Sequence, residues 1–364
     1  MKKLISAVLC AVMLISLAAC GESPSGLPDP DAESVPPTTT PSPTPVPSPT
    51  PLPYTNPLSG EPMDEDISMN RPWAAMINNI PQALPQRGTS QAEIIYEIPA
   101  EGGVTRMMAL FTDISDVEAL GSMRSIRPYY AETAFSYDAI IVHAGGSEAA
   151  YSLLRNTGWD HLDGVRETYA SKPFERDPNR MSNGVEHSLF ANGPKLIEAA
   201  EGKGFDFEHE GGEYDNGLKF SADAAGQCTE NAENAVIYFN SYKTTSFEYN
   251  ADDGLYYGSQ WGGEWIDETA DNAQQSFTNL IFLQTDIKII DNYGRLEVRL
   301  TGEGSGWYVT GGKYAEISWE REENGVFRYY LADGSELELV PGRTYIGIMG
   351  SDAGCTAKFE KPEA

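Results

Sequence analysis

The sequence predicts an α+β protein, with an N-terminal α/β layered domain over residues 54–207 followed by a smaller β-rich, mostly antiparallel domain over 208–357. Three observations lead to this class. A run of Pro, Thr, Ser and Asp from Ser23 to Pro53 has almost nothing to bury, so the folded part begins after it. Short apolar runs bounded by Pro and Gly then alternate with helix-like segments, the pattern of strands and helices stacked in layers. After Phe207 the helical segments cease, and Asn216-Gly217, Asp253-Gly254 and Asp333-Gly334 stand between apolar or aromatic runs as hairpin signals.

Taken in order, residues 73–77, 93–97 and 106–111 read as buried strands. Residues 128–135 and 147–155 read as helices, with a strand over 137–143 between them. Asn192-Gly193-Pro194 opens a third helix through Ala200, because proline at a first helical position gives up an N–H that has no partner there. Further strands are predicted at 236–239, 247–249, 280–290, 296–300, 314–319, 327–331 and 337–340. Gly302-Glu303-Gly304-Ser305-Gly306 reads as a turn joining two of them. Tyr256, Tyr257, Trp261, Trp265 and Trp307 fit the core of this region better than a stacking surface.

Ahead of the tether, Lys2-Lys3, an apolar run from Leu4 to Leu17 and the ending Ala18-Ala19-Cys20 have the layout of a bacterial lipoprotein signal peptide over residues 1–20. Cleavage before Cys20 leaves a cysteine for acylation, palmitate included. Each buried methylene contributes roughly 0.8 kcal/mol, so Cys20 is expected to hold the chain on the extracytoplasmic face of a membrane. Residues 21–53 then act as a semi-rigid spacer. The formal charge of −29 becomes more negative when Lys2 and Lys3 leave, which argues against nucleic acid and bulk anionic lipid as partners. Two cysteines remain beyond these, Cys228 and Cys355, and both a disulfide and two free thiols are open.

The densest chemistry lies in two stretches. Glu101-Gly102-Gly103-Val104-Thr105-Arg106 and Gly121-Ser122-Met123-Arg124-Ser125-Ile126-Arg127-Pro128 bring three arginines into an acidic chain, two of them beside a predicted helix N-terminus. Arg106, Arg124 and Arg127, with Glu101, could receive a phosphate, sulfate or carboxylate. They could equally pair with structural carboxylates such as Glu97 and Glu101. The second stretch places His143 at a strand end, with Gly145-Gly146 opening a helix, where α/β sheets admit ligands. His143 and His187 could form an acid/base couple, or His143 could be a buried imidazole satisfied by a carbonyl. His161 and His209, among polar neighbours, are expected at the surface. Signatures of zinc proteases, phosphate-loop hydrolases and serine hydrolases are absent, no metal site is predicted, and no cofactor is identified.

A longer series of motifs carries a resemblance. Asn56-Pro57-Leu58-Ser59-Gly60, Ile77-Asn78-Asn79, Tyr96-Glu97, Glu101-Gly102-Gly103-x-Thr105-Arg106, Gly121-x-x-Arg124-Ser125-x-Arg127 and His143-x-Gly145-Gly146-Ser147 are similar to the YerB family of bacterial lipoproteins. Asp291-x-x-Gly294-Arg295 and Leu339-x-Pro341-Gly342-x-Thr344 continue it. The resemblance implies a two-part extracytoplasmic lipoprotein of unassigned activity. It departs from the family at Ser122, where members carry Pro, and at Glu186-His187-Ser188, where they carry Pro-His-Asn. The functional expectation is a tethered lipoprotein that binds an anionic envelope ligand or an envelope protein. A hydrolase or transferase acting on a phosphodiester or glycan, and a solute receptor for a transporter, are the alternatives.

Overall fold

The computed structural model describes residues 52–360 apart from 213 and 353. The expected leader, the lipidation site Cys20 and residues 21–51 of the expected spacer lie outside the described residues. Among the described residues no helix is long and apolar enough to cross a membrane.

The principal strands are β1 (Trp73–Asn79), β2 (Ile94–Pro99) and β3 (Thr105–Phe111), then helix α1 (Pro128–Phe135), β4 (Ile140–His143), α2 (Glu148–Thr157), β5 (His161–Asp163) and α3 (Gly193–Lys203). After them come β6 (Asn234–Tyr238), β7 (Thr244–Asn250), β8 (Leu255–Gln260), β9 (Asn279–Thr285), β10 (Gly302–Thr310), β11 (Lys313–Arg321), β12 (Arg328–Leu331), β13 (Thr344–Gly350) and β14 (Thr356–Glu360). Their bounds follow local chemistry. Pro128 occupies the first turn of α1, the Ser147 hydroxyl accepts the Ala150 N–H at 3.2 Å to cap α2, and Gly158 ends α2 in the left-handed region at φ 67°.

A mixed sheet of eleven strands organises the molecule, nine of them in the order β11-β10-β9-β13-β2-β3-β1-β4-β5. Strands from both expected domains therefore share one sheet, joined where β13 lies parallel to β2 with Tyr345 opposite Ile95 and Gly347 opposite Glu97. The described residues form one compact unit. The fold is strand-dominated, with few helices, so the expected layered α/β arrangement of the N-terminal part is corrected to a mixed sheet that the C-terminal strands extend. The described residues do not form two similar α/β lobes.

One sheet face carries Met76, Tyr96 and Met108 against Tyr130 and Ala134 of α1 and Leu154 of α2. The other carries Ile77, Ile95 and Met107, covered by Leu196 and Ala200 of α3 and, further along, by a second sheet that runs β14-β6-β7-β8 and brings Ile237, Phe247 and Tyr256. Burial on both faces is why β1, β2 and β3 read as unbroken apolar runs. Tyr256 and Trp265 are core residues.

Several expectations need correction. Gly302 to Gly306 belong to β10 and make no turn. Their composition has a packing cause: a Cβ on Gly304 would lie 2.4 Å from the Trp319 indole, and one on Gly306 would lie 2.4 Å from the Phe282 carbonyl oxygen. Asn216-Gly217 sits in a loop, not a hairpin, and residues 337–340 form no strand, only a single bridge from Leu339 to Phe220. Cys228 and Cys355 are both free thiols.

The two sheets meet at a fully buried ion pair. Lys243 Nζ lies 2.8 Å from Glu97 Oε1. The same carboxylate accepts hydrogen bonds from Asn79 (2.9 Å) and Thr105 (2.5 Å) at one oxygen, and from Thr245 (2.8 Å) and Tyr345 (2.6 Å) at the other. Burial lowers the Lys243 pKa, with Glu97 opposing that shift. Removing one partner of a buried pair strands the other charge, at a cost of about 3–5 kcal/mol. Lys243→Met is accordingly expected to lose about that much stability in urea unfolding followed by tryptophan fluorescence, and a loss below about 1 kcal/mol would contradict this account.

Candidate functional site

The site begins where two strands part. β1 and β4 pair in parallel over Trp73–Ala75 and Ile140–Val142, and beyond that point the segment from Ser122 to Ile126 enters between them. On the β1 side the Asn78 N–H donates to Ser122 O (2.9 Å) and the Arg124 N–H to Met76 O (2.8 Å). On the β4 side the Ala144 N–H donates to Arg124 O and the Ile126 N–H to Gly145 O, both at 3.0 Å. An opening at the C-terminal ends of adjacent parallel strands is where open α/β sheets place ligands, and here it delivers Arg124 and then Arg127, the residue before α1. The Gly121–Ser122 peptide is cis.

Arg106, Arg124 and Arg127 do come together. They line a cleft of about 430 Å³ with Glu101, Asn78, Tyr293 and Arg295. Glu101 takes both other arginines: Arg127 bonds it through Nε and through Nη2 (2.9 Å), and Arg106 Nη2 reaches it at 3.4 Å. Arg106 also donates to Ser125 O at 2.9 Å. The expected partner Glu97 is on the opposite sheet face, paired with Lys243. Arg124 is different. Its guanidinium donates one hydrogen bond, to the Glu186 carbonyl at 3.4 Å, and no carboxylate lies within 4 Å of it among the described residues.

Electrostatics follow from this arrangement. Burial and the neighbouring charge of Arg127 push Arg106 down to about 10, leaving it charged at neutral pH. Burial raises Glu101, but the hydrogen bond from Arg127 and the charge of Arg106 outweigh it, and the carboxyl lies below its ordinary range. Burial lowers Arg124, Glu186 opposes the shift, and Arg127 adds to it. Four guanidiniums thus line a cleft with one carboxylate among its lining residues. The Glu101 loop is held from the second sheet, by Asn240 donating to Gly103 O (2.7 Å) and the Tyr242 hydroxyl donating to Gly102 O.

The histidines are engaged elsewhere. His143 is fully buried, its Nδ1–H donates to Gly145 O (2.8 Å), and Nε2 therefore accepts from His161 Nδ1 (3.1 Å). His187 Nδ1 accepts from the Asn78 amide at 2.9 Å. No hydrogen bond joins His143 to His187, and neither lines the arginine cleft. His209 is buried, contrary to expectation, 2.9 Å from Asp138 and stacked on Tyr214. Gly145 is used internally: its N–H donates to Asp163 Oδ1 (2.9 Å), and its φ of 74° suits glycine. A Cβ on Gly146 would lie 2.9 Å from Ile126. Among the described residues no group of three His, Cys, Asp or Glu is placed to hold a metal.

Sequence reasoning missed Asp163, which accepts from Gly145, Val165 (2.9 Å) and Tyr151 (2.5 Å) and orders the turn after β4. It also missed Tyr293 and Arg295, which reach the cleft from the hairpin of Ile287–Ile289 and Leu296–Val298. The motif Asp291-x-x-Gly294-Arg295 was the available signal for those two.

Residues 58–206 match the N-terminal domain, and residues 235–346 the C-terminal domain, of a family described as protein of unknown function (DUF3048). Over 309 residues the chain is 28% identical to YerB of Bacillus subtilis (strain 168), which is named as a lipoprotein, and the match spans 84% of this chain and 89% of that protein. A crystal structure of YerB from Bacillus subtilis is similar at a TM-score of 0.71 and 26% identity, over 84% of this chain and 99% of that one.

Burial pushes His143 down to about 4, against the opposing charge of Asp163. A folded-state pKa below the unfolded value of about 6.5 means that this stabilisation is complete above that pH and is lost as pH falls towards 4, by about 3 kcal/mol in all. NMR titration of the His143 ring is expected to show a neutral Nδ1–H tautomer at pH 7 and a midpoint near 4. A midpoint above 6 would contradict the assignment.

Proposed function

The chain belongs to the two-domain DUF3048 family, of which its homologue YerB is named as a lipoprotein, and on that premise we propose that it is a membrane-anchored envelope lipoprotein that binds an anionic group in the cleft of Arg106, Arg124 and Arg127. One observation supports this above the others. In a chain of formal charge −29, the cleft has four guanidiniums and one carboxylate among its lining residues, and Arg124 has no carboxylate within reach among the described residues. Positive charge lining a concave site focuses the local field, which favours a small anion, while the net negative charge of the chain disfavours a long polyanion.

In this reading Glu101 positions Arg127 and Arg106, and Arg124 supplies the uncommitted donors. Charge-assisted hydrogen bonds contribute about 1.5–3 kcal/mol each. Cys20, outside the described residues, would provide the anchor. Binding is favoured over acid/base turnover because the ring nitrogens of His143 are occupied by Gly145 and His161, and His187 is held by Asn78.

Arg124→Ala tests the site without stranding a buried carboxylate. In isothermal titration of the full chain in detergent with inorganic phosphate and glycerol phosphate, the variant is expected to bind at least about tenfold more weakly, equivalent to ~1.4 kcal/mol. Its urea midpoint should correspond to a stability change of no more than about 1 kcal/mol. Absence of saturable binding by the unsubstituted protein, or equal binding by Arg124→Ala, would overturn the proposal.

A further inference from the structure

Arg124 borders a second cleft as well. This one, of about 350 Å³, is also lined by Ser125, Gly145, Arg166, Arg176 and Glu186. The two spaces share Arg124 as a common wall, and each has the size of a small-molecule site, larger than one phosphate requires.

The state of the other arginines makes this juxtaposition informative. Among the described residues, most guanidiniums lie within 4 Å of a carboxylate, as Arg71, Arg87, Arg180 and Arg328 do. Arg321 and Arg343 are spent instead mainly on backbone carbonyls. Arg155 lies on the open face of α2, bonded to Ser152. Only two of the remaining guanidiniums have no carboxylate partner, and both line the second cleft. Arg176 bonds the Val185 carbonyl and the Ser188 hydroxyl (3.3 Å), and Arg124 reaches the next carbonyl, that of Glu186. Arg166, by contrast, is already committed, 2.7 Å from Glu148 and 3.6 Å above the Tyr151 ring.

Resting on the anion-cleft reading above, we propose that the ligand carries two anionic groups on one short chain, one seated at Arg106 and Arg127 and the other at Arg176, with Arg124 between them. Two separate anions would each lose their free motion on binding. Linking them makes the second contact intramolecular, and affinity then rises without a new protein contact. Arg124 and Arg176 are the two guanidiniums along this path without a carboxylate partner among the described residues, so a third or fourth phosphate gains no equivalent donor, which sets the upper length.

The test uses the full chain in detergent and soluble oligomers of glycerol phosphate with one, two and four phosphates. Affinity is expected to rise about tenfold or more from one phosphate to two, and less than about threefold from two to four. Arg176→Ala should abolish the first gain while changing single-phosphate affinity less than about threefold, and Arg176→Lys, which keeps the charge, should retain most of it. Equal binding of one and two phosphates, a gain that survives in Arg176→Ala, a continued steep rise to four, or binding confined to cardiolipin vesicles would each overturn the inference. If not even the single phosphate binds, the anion cleft itself fails, which is a distinguishable result.

Discussion

The buried pair of Glu97 and Lys243 is the constraint around which the rest of this molecule is arranged. Two charges removed from water are tolerated only when their remaining donors and acceptors are satisfied. Here the carboxylate collects Asn79, Thr105, Thr245 and Tyr345, so the end of β1 and the starts of β3, β7 and β13 converge on one side chain. Those partners come from both family segments, and their convergence welds the central sheet to the sheet that covers it.

The same register also builds the arginine cleft. Side chains alternate across a strand, so a neighbour in sequence points to the other face. Asn79 and Thr105 face Glu97, while Asn78 and Arg106, paired opposite each other across β1 and β3, face the cleft and His187. Lys243 is likewise preceded by Tyr242, which holds the Glu101 loop. A one-residue slip of β3 against β1 would exchange the two sets, placing Arg106 in the core and Thr105 at the site. Structural ion pair and candidate anion site are therefore two readouts of one pairing.

Much of the local structure was legible. Pro128, Ser147 and Asn192 announced helix starts because capping is a short-range effect, and β1 to β3 announced themselves as apolar runs because both their faces are covered. The arginine cluster was legible for the same reason: its members are close in sequence. What could not be read depends on distant chain. Nothing near Glu97 specifies Lys243, nothing near Arg124 specifies Arg295 or Arg176, and the glycines of β10 signal a turn until Trp319 and Phe282 are seen beside them. His143 carried two readings because an imidazole at a strand end is catalytic or structural according to what covers it.

The parallel contact of β13 with β2 has a consequence for how the chain reaches its native state. About two hundred and fifty residues separate the paired positions, so closure of the sheet belongs to the slow, high-contact-order class of folding events. The polypeptide emerges N-terminus first, and until Thr344–Gly350 arrives β2 has β3 on one side and an unsatisfied edge on the other. Such an edge is a template for wrong partners. Between emergence of β2 and delivery of β13 that edge stays open to non-native pairing, which ties the completeness of the chain to its solubility.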